Sequence, residues 1–117
     1  MEDCAFCKIA RNEIYEKWVY ENEEFFSIPD INPVCEGHSL VISKKHFETT
    51  LDLPSTLGPE LIKCIKETAS ILIDKYNAEG FNIINNNFEV ANQVVKHIHF
   101  HILPRKKGDK NPLSKIV

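Results

Sequence analysis

The run Val95-Lys96-His97-Ile98-His99-Phe100-His101-Ile102-Leu103 alternates imidazoles with apolar side chains, a period of two that fits a β-strand and no helix. On a strand, His97, His99 and His101 share one face, and Ile98, Phe100 and Ile102 share the other. Successive histidines then stand about 6.6–6.8 Å apart along the backbone. The apolar face needs a partner, and the chain offers one. From Pro59 to Tyr76, the residues Leu61, Ile62, Ile65, Ala69, Leu72, Ile73 and Tyr76 recur at helical spacing along one stripe. Pro59 suits a first helical turn, and Gly80 follows as a stop signal.

The remaining elements are shorter. Lys8 to Asn12 reads as a helical stub near the amino terminus. Lys17 to Tyr20 reads as a strand that turns at Glu21-Asn22-Glu23 into a second strand, Glu24 to Ile28. Pro29 to Pro33 is a loop, His38 to Ser43 a third strand, and His46 to Ser55 irregular. Phe81 to Asn85 and Val94 to Leu103 complete a set of about five strands. Short connections join strands one to three, and again four to five, which favours antiparallel pairing. The expectation is an α+β domain in which one long helix packs on an antiparallel sheet.

With 117 residues and no repeat, low-complexity tract or Gly/Ser linker, a single domain is expected over residues 1–117. A content of 43% hydrophobic and 26% charged residues excludes a disordered chain. The net charge of −3 lacks the basic excess of a nucleic-acid binder, and no run of about 18 apolar residues exists to span a membrane. Met1-Glu2-Asp3-Cys4 is acidic and no apolar stretch follows, which speaks against a secretory signal and for a cytoplasmic protein. Cysteines there stay reduced, so the four in this chain read as metal ligands or core residues.

Two chemistries suit the histidine row. Three neutral imidazoles can bind a catalytic metal with an open position. Alternatively, the middle imidazole attacks phosphorus, with one ring nitrogen free and the other oriented by an acceptor such as a main-chain carbonyl. Cys4-x-x-Cys7 fits half a zinc site, a redox pair or two packed thiols. For a tetrahedral zinc, His46 and one histidine of the row are the natural further ligands. Cys35 and Cys64 have no partner spacing, and Cys64 on the long helix reads as packing.

His97-Ile98-His99-Phe100-His101-Ile102-Leu103 resembles the motif of the histidine triad (HIT) superfamily. So do Cys4-Ala5-Phe6-Cys7-Lys8-Ile9 with Asn12-Glu13-Ile14, Asp30, Gly37-His38-Ser39-Leu40-Val41-Ile42, Lys44-Lys45-His46, Asn85-Asn86-Asn87, Gln93 and Pro104-Arg105. The likeness runs to about residue 110. The cysteine pair and Asn-rich loop resemble prokaryotic Hint-like members, whereas Lys96 and Leu103 to Asp109 resemble the fragile-histidine-triad hydrolases of dinucleoside polyphosphates.

The resemblance implies a HIT-like fold and a homodimer whose sheets join. It implies a nucleotidyl hydrolase or transferase acting at the α-phosphate of dinucleoside polyphosphates or nucleoside phosphoramidates. His99 would be the nucleophile and His101 a phosphate contact, with His38 supporting the triad from behind. Asp30 would bind the ribose hydroxyls, Ile28 and Ile31 would lie near the base, and Asn86 and Gln93 would contact the nucleotide. One structural zinc per chain would be held by Cys4, Cys7, His46 and His97. For the case to hold, the ring at position 99 must stand unliganded and face a pocket for the first phosphorus.

Departures from the family pattern bear on turnover. Asn92-Gln93-Val94 stands where Gly-Gln-Ser or Gly-Gln-Thr is usual, which removes a hydroxyl donor at Val94. Asn92 is the mildest replacement for a glycine at positive φ, and Phe88 also replaces a common glycine. These changes support an alternative, a catalytically weak nucleotide-binding or signalling module. The carboxyl tail, Asn111 to Val117, is read as docking on the body or fraying.

Overall fold

The apolar stripe of the long helix decides the architecture. The structure, a computed structural model, describes residues 4–110 and 113; Met1 to Asp3 and nearly all of the carboxyl tail lie outside the described residues. Helix α1 spans Ala5–Ala10 and α2 spans Gly58–Tyr76. The strands are β1 (Tyr20–Glu21), β2 (Phe25–Pro29), β3 (Ser39–Ser43), β4 (Gly80–Ile84) and β5 (His99–Arg105). They form one antiparallel sheet in the order β1-β2-β3-β5-β4. Short 3-10 turns at Ser55–Leu57 and Glu89–Ala91 complete the elements.

On one face of the sheet, Phe25, Val41, Ile98, Phe100 and Ile102 pack against Cys64, Ile65, Ala69 and Leu72 of α2. Burying each large apolar side chain contributes about 1.5–3 kcal/mol, so this layer anchors β5 firmly. Ile62 is the exception to the expected stripe: it is exposed, and Cys64 and Thr68 take the buried positions instead. The Thr68 hydroxyl donates to Ser27 Oγ at 2.7 Å and pins the helix to β2. Cys64 packs as expected, and burial pushes its thiol up to about 12. On the opposite face, Phe6 and Ile9 of α1 pack against Phe26, Ile28, Leu40 and Ile42.

Several boundaries differ from the sequence reading. The long helix ends at Asn77, whose left-handed φ of 53° and amide bond to the Ile73 carbonyl cap it; Gly80 instead opens β4, paired with Arg105. Pro29 belongs to β2, opposite Ser39 at the end of the ladder. The fifth strand begins at His99 rather than Val94. Before it, the Ile98 amide leaves the ladder to bond the Phe47 carbonyl at 2.7 Å. No described helix is long and apolar enough to cross a membrane.

Candidate active site

Register places the histidines. His99 pairs with Ile42 and His101 with Leu40, so both rings rise on the α1 side of the sheet while Phe100 opposes Val41 on the α2 side. His97 precedes the strand yet keeps that face, because the ring of Phe6 lies edge-to-face against both His97 (5.7 Å between centroids) and His99 (5.2 Å). The alternation expected from sequence therefore extends past the ladder itself.

Hydrogen bonds fix which nitrogen of each ring carries its hydrogen. The Ser43 hydroxyl donates to the Lys45 carbonyl at 2.7 Å. Toward His97 it can only accept, as does the Ser43 carbonyl 2.8 Å from His97 Nε2. His97 Nε2 thus bears the hydrogen, and its Nδ1 lone pair faces Cys4 Sγ at 3.3 Å and Cys7 Sγ at 3.5 Å. His99 Nδ1 lies 2.7 Å from the His97 carbonyl, so it donates there and Nε2 holds the lone pair.

A third chain of bonds runs behind His101. The Val34 amide donates to His38 Nδ1 at 3.2 Å, which leaves the hydrogen on His38 Nε2. His38 Nε2 donates to His101 Nδ1 at 2.9 Å, and His101 therefore carries its hydrogen on Nε2. Asp30 Oδ2 lies 3.4 Å from His38 Nε2, and its Oδ1 accepts the Asn32 amide at 2.8 Å.

Burial keeps these rings neutral. It pushes His97 and His101 down to about 4 and lowers His38 and His99, against the opposing pull of the His97 carbonyl on His99 and of Asp30 on His38, His99 and His101. His99 is enclosed more tightly than an open pocket implies, at 7% exposure beneath Phe6. Among the described residues its Nε2 makes no hydrogen bond, since the one the ring forms is at Nδ1.

Two groups of described side chains converge closely enough to hold an ion. Cys4, Cys7, His46 and His97 bring one ligand atom each within 4.8 Å of one another. His46 Nδ1 stands 3.3 Å from Cys7 Sγ, and burial raises the Cys7 thiol, whose proton a metal bound here would displace. In a tetrahedral site with ordinary bond lengths the sulfur–nitrogen edge is about 3.6 Å, close to the spacings here. These four side chains fit a closed metal site. The second group, Asp30, His38 and His101, reads differently. A metal on His38 Nε2 would force the hydrogen onto Nδ1, against the Val34 amide hydrogen, so the bonds favour a proton-ordered chain. The three triad rings do not converge on one ion, which disfavours a three-histidine metal.

The other expected residues are placed as follows. Ile28 is buried on the α1 face beside Leu40, whereas Ile31 is 78% exposed in the loop after β2. Gln93 is buried, and its side chain braces a loop: Oε1 accepts the Phe88 amide at 2.7 Å and Nε2 donates to the Glu48 carbonyl at 2.6 Å. One Nε2 hydrogen is left for other use. Asn92 adopts a left-handed φ of 70°, as its place in a glycine-rich pattern suggested. Phe88, at φ 73° and ψ 156°, occupies backbone space that glycine favours. Asn86 shows no such bonding role; its neighbours do. Asn85 Nδ2 donates to the His99 carbonyl at 3.0 Å, and Asn87 Oδ1 accepts the Thr50 amide at 2.7 Å. Sequence reading quoted Asn85 and Asn87 without giving them a role and missed Thr50, and these three tie the loop to the strand carrying His99; it also missed the contact of Phe6. Only the run of asparagines hinted at them.

The HIT domain model matches residues 11–108. The chain belongs to the HIT family. It is 47% identical over 106 residues to a HIT-like protein of Methanocaldococcus jannaschii, covering 91% of this chain and 81% of that one. It is 36% identical over 107 residues to the adenosine 5′-monophosphoramidase of Candida albicans, covering 88% and 70%. Among solved structures, SMU.412c from Streptococcus mutans superposes with a TM-score of 0.88 at 40% identity, covering 95% of this chain and 71% of that one. HIT relatives thus include named nucleotide hydrolases, and this chain shares their fold.

Proposed function

We propose that this HIT protein is a nucleotidyl hydrolase or transferase that cleaves at the α-phosphate of a nucleoside-5′-phosphoryl substrate, a phosphoramidate or a dinucleoside polyphosphate. The observation that carries the reading is the tautomer of His99, whose Nδ1 hydrogen is committed to the His97 carbonyl while the Nε2 lone pair has no hydrogen-bond partner among the described residues. Its lone pair attacks the α-phosphorus as the bond to the leaving group breaks, and the leaving group departs with that electron pair and takes up a proton. The imidazolium charge of the nucleotidyl-histidine is steadied through Nδ1–H by the His97 carbonyl. His101, held as Nε2–H donor by the chain from Val34 through His38, hydrogen-bonds a phosphoryl oxygen. Water then attacks phosphorus, releases a nucleoside monophosphate and restores His99.

The remaining roles rest on the family resemblance. Asp30 binds the ribose hydroxyls, Ile28 and Ile31 border the base, and Asn86 and Gln93 contact the nucleotide. Cys4, Cys7, His46 and His97 hold one structural zinc, the metal that suits a closed set of two thiolates and two imidazoles. Bound there, zinc supplies cross-linking, not Lewis acidity toward substrate. The chain acts in the cytoplasm as a homodimer, for which the edge strand β4, with Phe81 and Ile83 half exposed, offers a pairing surface.

His99→Ala is expected to stay folded and metal-loaded and to lose cleavage of both an adenylyl-lysine phosphoramidate and diadenosine tetraphosphate. Unchanged cleavage of both would remove the mechanism. The strained Phe88 and the apolar Val94 favour one second reading, a nucleotide-binding module of weak activity. Measurable affinity for adenosine nucleotides without turnover of either substrate would decide for it.

A further inference from the structure

Helix α1 has only six residues, and no side chain caps its amino terminus. A helix that short does not persist on propensity alone, because one costly nucleation step is repaid by too few bonds. Two things hold it to the sheet. Phe6 and Ile9 bury against Phe26, Ile28, Leu40 and Ile42, and Cys4 and Cys7 reach His97 and His46. Cys4 and Cys7 bracket Phe6 in the chain, so whatever fixes the two sulfurs fixes the ring between them. That ring, 8% exposed, meets His97 and His99 edge-to-face.

We propose that Phe6 is a positioning residue for His99, and that the Cys4–Cys7–His46–His97 cluster, when it holds its metal, sets the place of Phe6 by clamping α1 to the sheet. The catalytic part of this inference rests on the function proposed above; the structural part stands without it. Among the described residues the His99 ring has a single hydrogen bond, at Nδ1, and rotation about that bond is limited by what packs on its faces. Phe6 supplies a wall on one side and His101, 5.2 Å away between centroids, supplies another. With Phe6 removed, the ring keeps its chemistry but loses the restraint that aims Nε2.

Three measurements test the proposal on the full-length, metal-loaded protein. First, amide hydrogen exchange compares loaded wild type with chelator-treated wild type. Residues 5–10 are expected to lose protection on chelation while β2, β3 and β5 keep theirs; unchanged protection over 5–10 overturns the clamp. Second, nitrogen-15 spectra of the histidine rings follow His99 without reference to activity. Phe6→Ala is expected to move His99 from a single Nδ1–H form to an averaged mixture, with metal stoichiometry unchanged and with Phe6→Tyr restoring the wild-type signature. A His99 spectrum indifferent to Phe6→Ala overturns the positioning role, even if the protein cleaves nothing. Third, kcat for the phosphoramidate is expected to fall about tenfold to a hundredfold in Phe6→Ala, with Phe6→Tyr close to wild type. A change confined to KM would assign Phe6 to substrate binding and overturn the positioning role. Should Phe6→Ala fail to fold, Phe6→Leu removes the aromatic edge while keeping most of the buried volume, and the same criteria apply.

Discussion

Gly37 sits immediately before His38, at φ +83°, with Tyr76 and Pro104 packed over the position where a Cβ would project. In Gly37→Ala that Cβ would lie 2.7 and 2.8 Å from Cδ2 and Cε2 of Tyr76, and 3.1 Å from Cγ of Pro104. Two costs follow. Holding a non-glycine residue in the left-handed region costs about 1–2 kcal/mol, and forcing atoms into a filled space costs about 1–3 kcal/mol. The sum, about 2–5 kcal/mol, is a large share of the stability of a small domain. With a urea m-value of about 2 kcal/mol/M, the middle of the usual range, the unfolding midpoint is expected to fall by about 1–2.5 M. Tyr76→Ala separates the two costs. In that background only the 3.1 Å approach to Pro104 remains of the steric part, and Gly37→Ala is expected to cost little more than the backbone part, about 1–2 kcal/mol. A midpoint for Gly37→Ala within a few tenths molar of wild type would refute the reasoning, as would a penalty that Tyr76→Ala leaves undiminished.

Burial holds His38 and His101 below the ordinary histidine value, the latter at about 4, so between pH 6.5 and 4 the unfolded chain binds protons that the folded chain refuses. Stability is therefore expected to fall as pH drops through that window, by up to about 1.4 kcal/mol per pH unit for each proton, and to be flat in this term above it. Urea midpoints measured from pH 4.5 to 7.5 check the slope, and His101→Asn is expected to flatten it; an unaltered slope would exclude His101 as a contributor. Val94 is 88% exposed and stands where the family resemblance expects a hydroxyl donor. Val94→Ser is expected to raise kcat by about tenfold while leaving the urea midpoint unchanged, consistent with a regained hydrogen bond to a developing charge. A kcat at or below wild type in Val94→Ser would show that the missing hydroxyl does not limit turnover.

The sheet and its helix were readable because each carries its own period. Ile98, Phe100 and Ile102 meet α2, as their alternation required, and His99 and His101 take the other face. What local pattern could not supply was the tertiary detail. The strand starts at His99 because Phe47, some fifty residues earlier, captures the Ile98 amide, and nothing in the 94–98 segment announces that bond. Asn77 rather than Gly80 ends the helix, since either residue can end one and only the pairing of Gly80 with Arg105 decides between them. In the candidate site, the residue types at 4, 7, 46 and 97 suggested a metal before their convergence was visible. The bracing of Gln93 against Phe88 and Glu48, the Asn85 bond to the His99 carbonyl and the contact of Phe6 with His99 all depend on how distant segments meet. The asparagine run and Gln93 stood out in the sequence, but their partners did not, and Phe6 carried no signal of its own.

The central claim is that His99 Nε2 becomes covalently joined to the α-phosphorus during turnover. Mixing the protein with an adenylyl phosphoramidate, quenching in alkaline denaturant within the first turnover and mapping the modified peptide by mass spectrometry tests it directly, since an imidazole–phosphorus bond survives base. The account predicts one adenylyl group per chain, on His99, which decays as the monophosphate appears. Steady release of monophosphate with no adduct, or an adduct on any other side chain, would contradict it.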